Sequence, residues 1–428
     1  MNKGGRTPLH HAALNGQTGA VELLLMGGAL IEAVDKDENT PLHLAVWKGH
    51  TDVVELLLDK GASIQAMNKY FNTSLHLAAW NGHAGMVRLL LKKGASIEPR
   101  NQYHNSSLQL AALKGHTGIV DLLLKKGAIC NVFENYNTPL HLAARGGYTG
   151  TVKLLLKKGA WLQAVNKAYN TSLHLAAWNG YTGVVELLLE TGTLIESINQ
   201  DDSTPLHLAA QSGHTSTVEL LLEKGASIEA IDRFCNTSLH LAVRGGHTSV
   251  VELLLERGAS IEALDENDNT PLGCAAWCGH TAVVELLLGR GARIEAMSEC
   301  NYTPLHYAAR CGYAGVVELL LKKGAAMDGI SHSLLRIAAQ RGYTGVLELL
   351  LVEGTSIESI DRDKFGNTLL HLAAQNGHAG VVELLLGKGA SIDALNEGNS
   401  TPLHLAARNA KTHIVQLLEN KAAELQIA

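Results

Sequence analysis

A short motif recurs thirteen times along this chain, and successive copies start almost always 33 residues apart. Each copy is a variant of Thr-Pro-Leu-His followed by Leu-Ala-Ala. The copies begin at Thr7, Thr40, Thr73, Ser106, Thr138, Thr171, Thr204, Thr237, Thr270, Thr303, Ser333, Thr368 and Thr401. A fixed period of this length is the sequence signature of stacked supersecondary units. Because the repeat runs through all 428 residues, we expect no separate catalytic domain.

The first half of one copy predicts a short helix. Thr40 is a favourable N-cap, and the proline that follows is favourable at the first helical position, where its missing N–H costs nothing. Leu42, Ala45 and Val46 recur at i, i+3 and i+4, which predicts one buried side. Gly49 is expected to end the helix.

A second helix is expected after the Gly-His pair. Thr51 is predicted to be its N-cap, and Gly61 is predicted to stop it. Its buried side is predicted to consist of Val53, Val54, Leu57 and Leu58. A polar turn, which we call the finger, then leads to the next threonine. Each unit therefore reads as helix, turn, helix and finger.

The order of these landmarks resembles the ankyrin repeat. Residues 40–62, TPLHLAVWKGHTDVVELLLDKGA, carry the family pattern nearly whole, and the tetratricopeptide pattern Trp-x-x-Leu-Gly is absent. The resemblance implies an all-α repeat solenoid of stacked helix-turn-helix units with extended β-hairpin-like fingers. We expect a single ankyrin-repeat solenoid over residues 1–428. Its repeats are placed at about 1–34, 35–67, 68–100, 101–132, 133–165, 166–198, 199–231, 232–264, 265–297, 298–327, 328–362, 363–395 and 396–428.

The terminal repeats carry polar substitutions that are typical of capping repeats. They are His11 and Gln17 at one end and Ala410, Lys411 and Glu419 at the other. We expect an intact solenoid, with a fragment of a longer chain as the alternative. Repeats ten and eleven depart from the period, with lengths of 30 and 35 residues. We interpret this as drift in a tolerant array, and a hinge or a second contact site is the alternative.

Composition excludes several classes of function. The net charge of −6 and the isoelectric point near 6.4 oppose general nucleic-acid binding. No apolar stretch reaches the length of about 18 residues that spans a membrane, and the N-terminus has no signal-peptide core. The six cysteines are scattered, which is typical of reduced thiols. We expect a cytoplasmic or nuclear monomer.

The 21 histidines are the most conspicuous candidates for chemistry. Ten occupy the motif slot after leucine, as His43 does, and seven follow glycine, as His50 does. The resemblance implies that these rings hydrogen-bond turns and neighbouring repeats, and no unique nucleophile accompanies them. Cys274, Cys278 and Cys311 could form half a metal site, but free thiols are the favoured interpretation. We therefore expect no enzyme, no metal and no cofactor.

Lysines end the second helices of repeats three to five. This basic ridge consists of Lys92, Lys93, Lys125, Lys126, Lys157 and Lys158, with Lys153 nearby. Lysines at helix C-termini complement the helix dipole, and we favour that interpretation. An acidic partner or lipid headgroups are the alternative.

The positions where the repeats disagree indicate function. One slot, directly after the Ala-Ala or Ala-Val pair of the first helix, holds Trp47, Trp80, Trp178 and Trp277, and in other repeats Arg145, Arg244 and Arg310. The finger tips hold Tyr70, Phe71, Tyr103, Tyr136, Tyr169 and Phe234. The resemblance implies that the tryptophan slot faces a concave groove, and Trp, Tyr and Arg are enriched at binding hot spots. It also implies a glycine in the finger turn, which most fingers here lack and which Gly366 keeps.

Two patches are predicted from these residues. One combines Trp47 and Trp80 with three finger aromatics, Tyr70, Phe71 and Tyr103; the other combines Trp178, Tyr169 and Arg145. The competing interpretation is that each tryptophan lies flat on the next repeat and stiffens the stack. We expect a non-catalytic scaffold or adaptor that binds protein partners through groove and fingers. The alternative is a structural or elastic spacer, or the arm of a larger assembly that anchors membrane proteins.

Overall fold

The computed structural model describes residues 4–131, 137–327, 332–351 and 362–427, and these form 26 α-helices and no β-strand. The helices follow one another as short pairs, so the predicted all-α repeat class is confirmed. The chain divides into two compact units, Met1–Ser227 and Ile228–Ala428. The single solenoid over 1–428 and the repeat boundaries stay predictions, and residues 328–331, where repeat eleven is expected to begin, lie outside the described residues.

Unit 1 contains seven helix pairs. They are α1 (Pro8–Leu14), α2 (Thr18–Met26), α3 (Pro41–Lys48), α4 (Thr51–Asp59), α5 (Ser74–Asn81), α6 (Ala84–Lys92), α7 (Ser107–Leu113), α8 (Thr117–Lys125), α9 (Pro139–Arg145), α10 (Thr149–Lys157), α11 (Ser172–Trp178), α12 (Thr182–Glu190), α13 (Pro205–Gln211) and α14 (Thr215–Glu223). Within each pair the two helices pack together, and the first helices of successive repeats also pack against one another.

Unit 2 contains six further pairs. They are α15 (Ser238–Arg244), α16 (Thr248–Glu256), α17 (Pro271–Cys278), α18 (Thr281–Gly289), α19 (Pro304–Cys311), α20 (Ala314–Lys322), α21 (His332–Arg341), α22 (Thr344–Leu350), α23 (Leu369–Asn376), α24 (Ala379–Gly387), α25 (Pro402–Arg408) and α26 (Thr412–Ile427). The same two kinds of packing recur here, for example between α17 and α19 and between α23 and α25.

The first helix of a repeat begins as its sequence predicts. Thr40 is the N-cap of α3 with an extended backbone, and Gly49 ends the helix in the left-handed conformation, with φ of 80°. Leu42, Ala45 and Val46 are fully buried. Because an alanine carries only one methyl group, this slot lets the first helices of adjacent repeats approach closely. The core of each unit is thus a row of thin helical layers.

The N-cap of the second helix lies one residue earlier than the sequence predicts. His50, not Thr51, is the N-cap of α4, and it makes no side-chain capping bond. Its ring is engaged elsewhere, because Nε2 lies 3.0 Å from the carbonyl oxygen of Leu14 in the preceding repeat. A Cβ atom on Gly16 would lie 2.6 Å from this ring, so only glycine fits beneath it. Of the predicted apolar side, Val53, Val54 and Leu57 are buried and Leu58 is half-buried.

The fingers are tight loops held by a side chain at their base. The Asn68 carboxamide oxygen accepts hydrogen bonds from the backbone N–H groups of Tyr70 and Asn72, both at 3.0 Å. The Asn68 N–H donates to the Asn72 carbonyl oxygen at 3.1 Å. The Asn68 amide also donates to the Asn39 side chain of the preceding finger at 2.9 Å. The Phe71 N–H also donates to the Asn68 carbonyl oxygen at 2.8 Å, so two backbone hydrogen bonds close the loop in place of the ladder of a hairpin.

The finger turn keeps its left-handed residue even where glycine is absent. Non-glycine residues with positive φ lie two positions before the N-cap at Glu38, Phe71, His104, Tyr169, Asp202, Cys235, Asp268, Asn301 and Asn399. Gly366 holds the same position in its own finger, with φ of 73°. A left-handed conformation costs a residue with a Cβ atom about 1–2 kcal/mol. The hydrogen bonds at the finger base hold that conformation in place.

Candidate functional site

A groove of about 970 Å³ opens on unit 1, between the first helices and the fingers of repeats one to four. It is lined by α3, α5 and α7, by Leu14 at the end of α1, and by the fingers that precede these helices. A volume of this size is typical of a ligand or peptide site. The groove follows from the stacking, since each repeat contributes one helix end and one finger to the same side.

Four of the predicted partner-binding residues line this groove. They are Trp47 and Trp80 from the helices and Tyr70 and Tyr103 from the fingers. Tyr103 is 67% exposed and Trp47 is 43% exposed, whereas Trp80 is half-buried. The Lys114 ammonium lies 4.0 Å from the centre of the Trp80 ring, in a cation–π contact. The groove therefore has aromatic walls that the protein itself only partly covers.

The polar lining of the groove consists of asparagines, two cations and the motif histidines His43 and His76. Asn39, Asn68, Asn72, Asn101 and Asn105 line it beside Arg6 and Lys48. The asparagine side chains bond one another from finger to finger, as Asn101 does to Asn72 at 3.0 Å. No carboxylate is among the lining residues. The site thus combines apolar and aromatic surface with positive charge at its edge.

Other predicted residues of unit 1 lie outside this groove. Phe71 occupies the left-handed position of its finger and is 55% exposed, but it does not line the groove. Arg145, Trp178 and Tyr169, the predicted second patch, are exposed side chains that the groove does not include. Tyr169 also adopts the left-handed conformation, with φ of 58°. Tyr136 lies outside the described residues.

Unit 2 places Trp277 in an aromatic cluster. Its ring stacks on Tyr307 of the next repeat, with centroids 5.3 Å apart and an interplanar angle of 24°. Tyr302 meets Tyr307 edge-on, and Arg310 donates a 2.7 Å hydrogen bond to the Tyr302 hydroxyl. Trp277 remains 54% exposed. One face of the Trp277 ring therefore packs on the next repeat, as the competing interpretation expects, while about half of the side chain stays exposed.

Arg244 has a structural contact within unit 2. Its guanidinium donates to the Asp265 carboxylate at 2.6 Å, and the Asp265 side chain is fully buried. Burial alone would raise the pKa of Asp265, but the backbone amides of Asn269 and Asn267, followed by Arg244, hold it below its usual value. Phe234, the remaining predicted finger residue, is exposed, and the Arg233 guanidinium lies 5.0 Å from its ring centre.

The motif histidines are structural. The backbone N–H of Thr171 donates to His174 Nδ1 at 3.2 Å, and Nε2 lies 3.0 Å from the Ser203 carbonyl oxygen, 29 residues further along. Nδ1 therefore accepts and Nε2 carries the proton, which defines a neutral ring. Burial lowers the pKa of His174 to about 4, and it does the same for His76 and His141. These rings fasten each repeat to the next.

Repeat four shows that the motif histidine position requires two hydrogen bonds and does not require an imidazole ring. Gln109 occupies the histidine position there. Its side-chain oxygen accepts from the Ser106 N–H at 2.8 Å, and its amide donates to the Asn137 carbonyl oxygen at 2.7 Å. Glutamine thus reproduces both contacts without a titratable group.

The cysteines carry no sign of a reactive or metal-binding site in the described part of the chain. All six thiols are free, and no cluster of three or more metal-ligating side chains occurs there. Burial raises the pKa of Cys274 to about 12 and also raises the pKa of Cys278 and Cys311. These thiols are protonated at neutral pH. Among the described helices, none is both long and apolar enough to cross a membrane.

Comparison with known families decides the architecture. The family model described as "Ankyrin repeats (3 copies)" matches residues 1–68, 65–134, 129–199, 161–232, 231–298, 262–330 and 335–427. The chain is an ankyrin-repeat protein. Ankyrin repeats generally serve as protein–protein interaction modules, and the fold is typically a non-catalytic scaffold.

One solved structure illustrates the similarity of this ankyrin-repeat protein to others. The crystal structure of the human ASB11 ankyrin repeat domain shares 29% sequence identity with it, at a TM-score of 0.48. The match covers 52% of this chain and 99% of that domain. A search of curated proteins found no match.

Proposed function

We propose that this ankyrin-repeat protein is a non-catalytic scaffold or adaptor that binds an extended segment of a partner protein in the groove of unit 1. The observation that supports this is the set of partly exposed aromatic walls formed by Trp47, Trp80, Tyr70 and Tyr103. Exposed aromatic surface is costly to leave in water, and aromatic side chains dominate binding hot spots.

The dimensions of the groove suit a peptide segment. It extends over four adjacent repeats. Three inter-helix steps of about 8–10 Å give a length of about 25–30 Å, which is the span of about eight extended residues. The rigid stack holds the groove open before binding, so the ordering cost falls mainly on the partner.

The charge of the groove favours a particular kind of segment. Lys48 lines the groove and no carboxylate is among the lining residues, whereas Arg6, which also lines it, donates to the Asp35 carboxylate at 3.3 Å. An apolar segment that carries an acidic residue would place its apolar side chains between the aromatic rings and its carboxylate near Lys48. We propose that the partner-facing residues of the second patch, Arg145, Trp178 and Tyr169, extend the contact.

A photocrosslinking experiment tests this proposal. A benzophenone amino acid replaces Tyr103, the most exposed aromatic residue of the groove, and in a second protein it replaces Trp161, which lies outside the groove. Both proteins are irradiated in cell extract, and crosslinked peptides are identified by mass spectrometry. We expect the Tyr103 position to yield defined partner peptides that the Trp161 position does not. Identical crosslinks from the two positions would refute groove binding.

A further inference from the structure

The positive charge of the chain is concentrated in one stretch of unit 1. Residues 84–167 contain twelve Lys and Arg against three Asp and Glu, a net charge of +9. The rest of the chain therefore carries −15, which together give the overall −6. A block of one sign within a chain of the opposite sign produces a local field that attracts anions. The basic ridge lies within this stretch.

The lysines of the basic ridge lie close together across repeats. The Asp121 carboxylate is 2.6 Å from the Lys125 ammonium and 3.8 Å from that of Lys158, which belongs to the next repeat. Lys93 pairs with Asp59 at 2.5 Å. In the described part of the chain, Lys92, Lys126 and Lys157 form no ion pair. Asp59 and Asp121 therefore neutralise only part of the positive charge of the ridge.

Large apolar side chains follow two of these lysine pairs three residues further along the chain. The slot two positions after the glycine that follows the second helix holds Ile129, Trp161 and Leu194 in three successive repeats, and these side chains are 64%, 54% and 63% exposed. We call them the apolar row. The same slot holds serine in six other repeats, at positions 63, 96, 227, 260, 356 and 391. The backbone N–H of Trp161 donates to the Asn131 side chain at 2.9 Å. This hydrogen bond joins repeat four, which contains Ile129, to repeat five, which contains Trp161.

We propose that the basic ridge and the apolar row together dock unit 1 on the surface of an anionic lipid bilayer. Lysines beside an anionic bilayer gain electrostatic free energy, and Trp, Ile and Leu side chains next to them enter the headgroup region. The combination fits a bilayer better than a protein segment, because the lysines and the apolar row are exposed and none of them lines the groove. The docking surface shares no residue with the groove and goes beyond the proposed partner binding.

The boundary of the docking surface is defined by the next repeat. Glu190 and Glu223 occupy the last position of α12 and α14, where Lys125 and Lys157 end α8 and α10. The ridge therefore stops after repeat five. These glutamates also show that the helix ends accept either sign of charge, which supplies substitutions that the fold already tolerates.

Vesicle binding of the full chain tests the proposal. Wild-type protein is cosedimented with vesicles of phosphatidylcholine alone and of phosphatidylcholine with phosphatidylserine. We expect binding to the anionic vesicles alone, and its loss at high salt. The Lys125→Glu/Lys157→Glu variant is expected to bind at least about tenfold more weakly, since each lysine contributes about fivefold. The Ile129→Ser/Trp161→Ser variant, which copies serine from other repeats, is expected to lose about tenfold.

A control and a site-specific signal complete the experiment. Lys388→Glu reverses a lysine at the C-cap of α24 in unit 2 and should leave vesicle binding unchanged. Brominated lipid should quench tryptophan fluorescence in the wild type and much less in Trp161→Phe. The proposal is overturned if wild-type protein ignores anionic vesicles, or if either double variant binds them as well as wild type. Binding to soluble polyglutamate without vesicle binding would also overturn it and would assign the ridge to an acidic protein.

Discussion

Replacing three buried histidines by glutamine should remove a large part of the acid sensitivity of this protein. His76, His141 and His174 are neutral in the folded state, because burial lowers the pKa of each to about 4. The unfolded chain binds a proton at these sites below pH 6.5, whereas the folded chain does so only near pH 4. The unfolded state therefore binds more protons in that window, and the free energy of unfolding falls as pH falls through it.

The magnitude follows from these pKa values. Between pH 7 and pH 5 each histidine should lower the free energy of unfolding by a little under ~2 kcal/mol, so the three together should lower it by about 5–6 kcal/mol. Glutamine is the matched substitution, since Gln109 already makes both hydrogen bonds of this slot in repeat four. The triple variant should fold, and its stability should depend much less on pH.

Equilibrium urea unfolding, followed by circular dichroism, measures this difference. Wild type and the His76→Gln/His141→Gln/His174→Gln variant are compared at pH 7 and pH 5, so that titration of carboxylates common to both proteins cancels. The control is His404→Gln, in which the same slot carries an exposed ring. Equal losses of stability in wild type and triple variant on acidification would refute the assignment of these rings as neutral, buried fasteners.

Three further substitutions test the packing and the fingers. Tyr169→Gly should raise the free energy of unfolding by about 1 kcal/mol, because it relieves a left-handed residue, and a decrease in a urea titration would contradict that strain. Leu57→Ala, at a fully buried position, should lower it by about 2–5 kcal/mol, and a loss below 1 kcal/mol would contradict the packing. Arg244→Gln should lower it by about 1–2 kcal/mol by removing one donor from buried Asp265, and an unchanged thermal midpoint would exclude a structural role.

Much of the fold could be predicted because its signals are local. The threonine N-cap, the proline that follows it and the i, i+3, i+4 spacing of Leu42, Ala45 and Val46 act within one helix, and the structure contains each of them. The period then repeats the same local solution. The N-cap of the second helix was missed, because the His50 ring is fixed by a contact 36 residues away.

The finger geometry was harder to anticipate from glycine alone. Phe71 and Tyr169 adopt the left-handed conformation, and the reason lies in an Asn three residues earlier that accepts the turn's N–H groups. That signal is visible in the sequence as Asn or Asp four positions before a second Asn, as at Asn68 and Asn72. This spacing predicts the turn without a glycine.

Which aromatic residues share a site depends on neighbours that the repeat pattern does not reveal. Trp47 and Trp80 line the groove, whereas Trp277 stacks on a tyrosine that replaces the usual leucine of the next helix. The same slot therefore has two environments. The apolar row has no local sequence signal, because each of its members is a single exposed residue, and only the stacking joins the repeats of Ile129 and Trp161 through the Trp161–Asn131 hydrogen bond.

The affinity of a crosslinked partner peptide for groove variants tests protein binding by unit 1 most directly. Isothermal titration calorimetry compares wild type with Trp47→Gln/Trp80→Gln, in which glutamine copies the residue that this slot holds in repeats seven, eleven and twelve. If the groove binds the peptide, the double variant should lose at least about tenfold in affinity, while Trp161→Ser binds as wild type does. Unchanged affinity of the double variant, with its circular dichroism intact, would show that the groove is not the binding site.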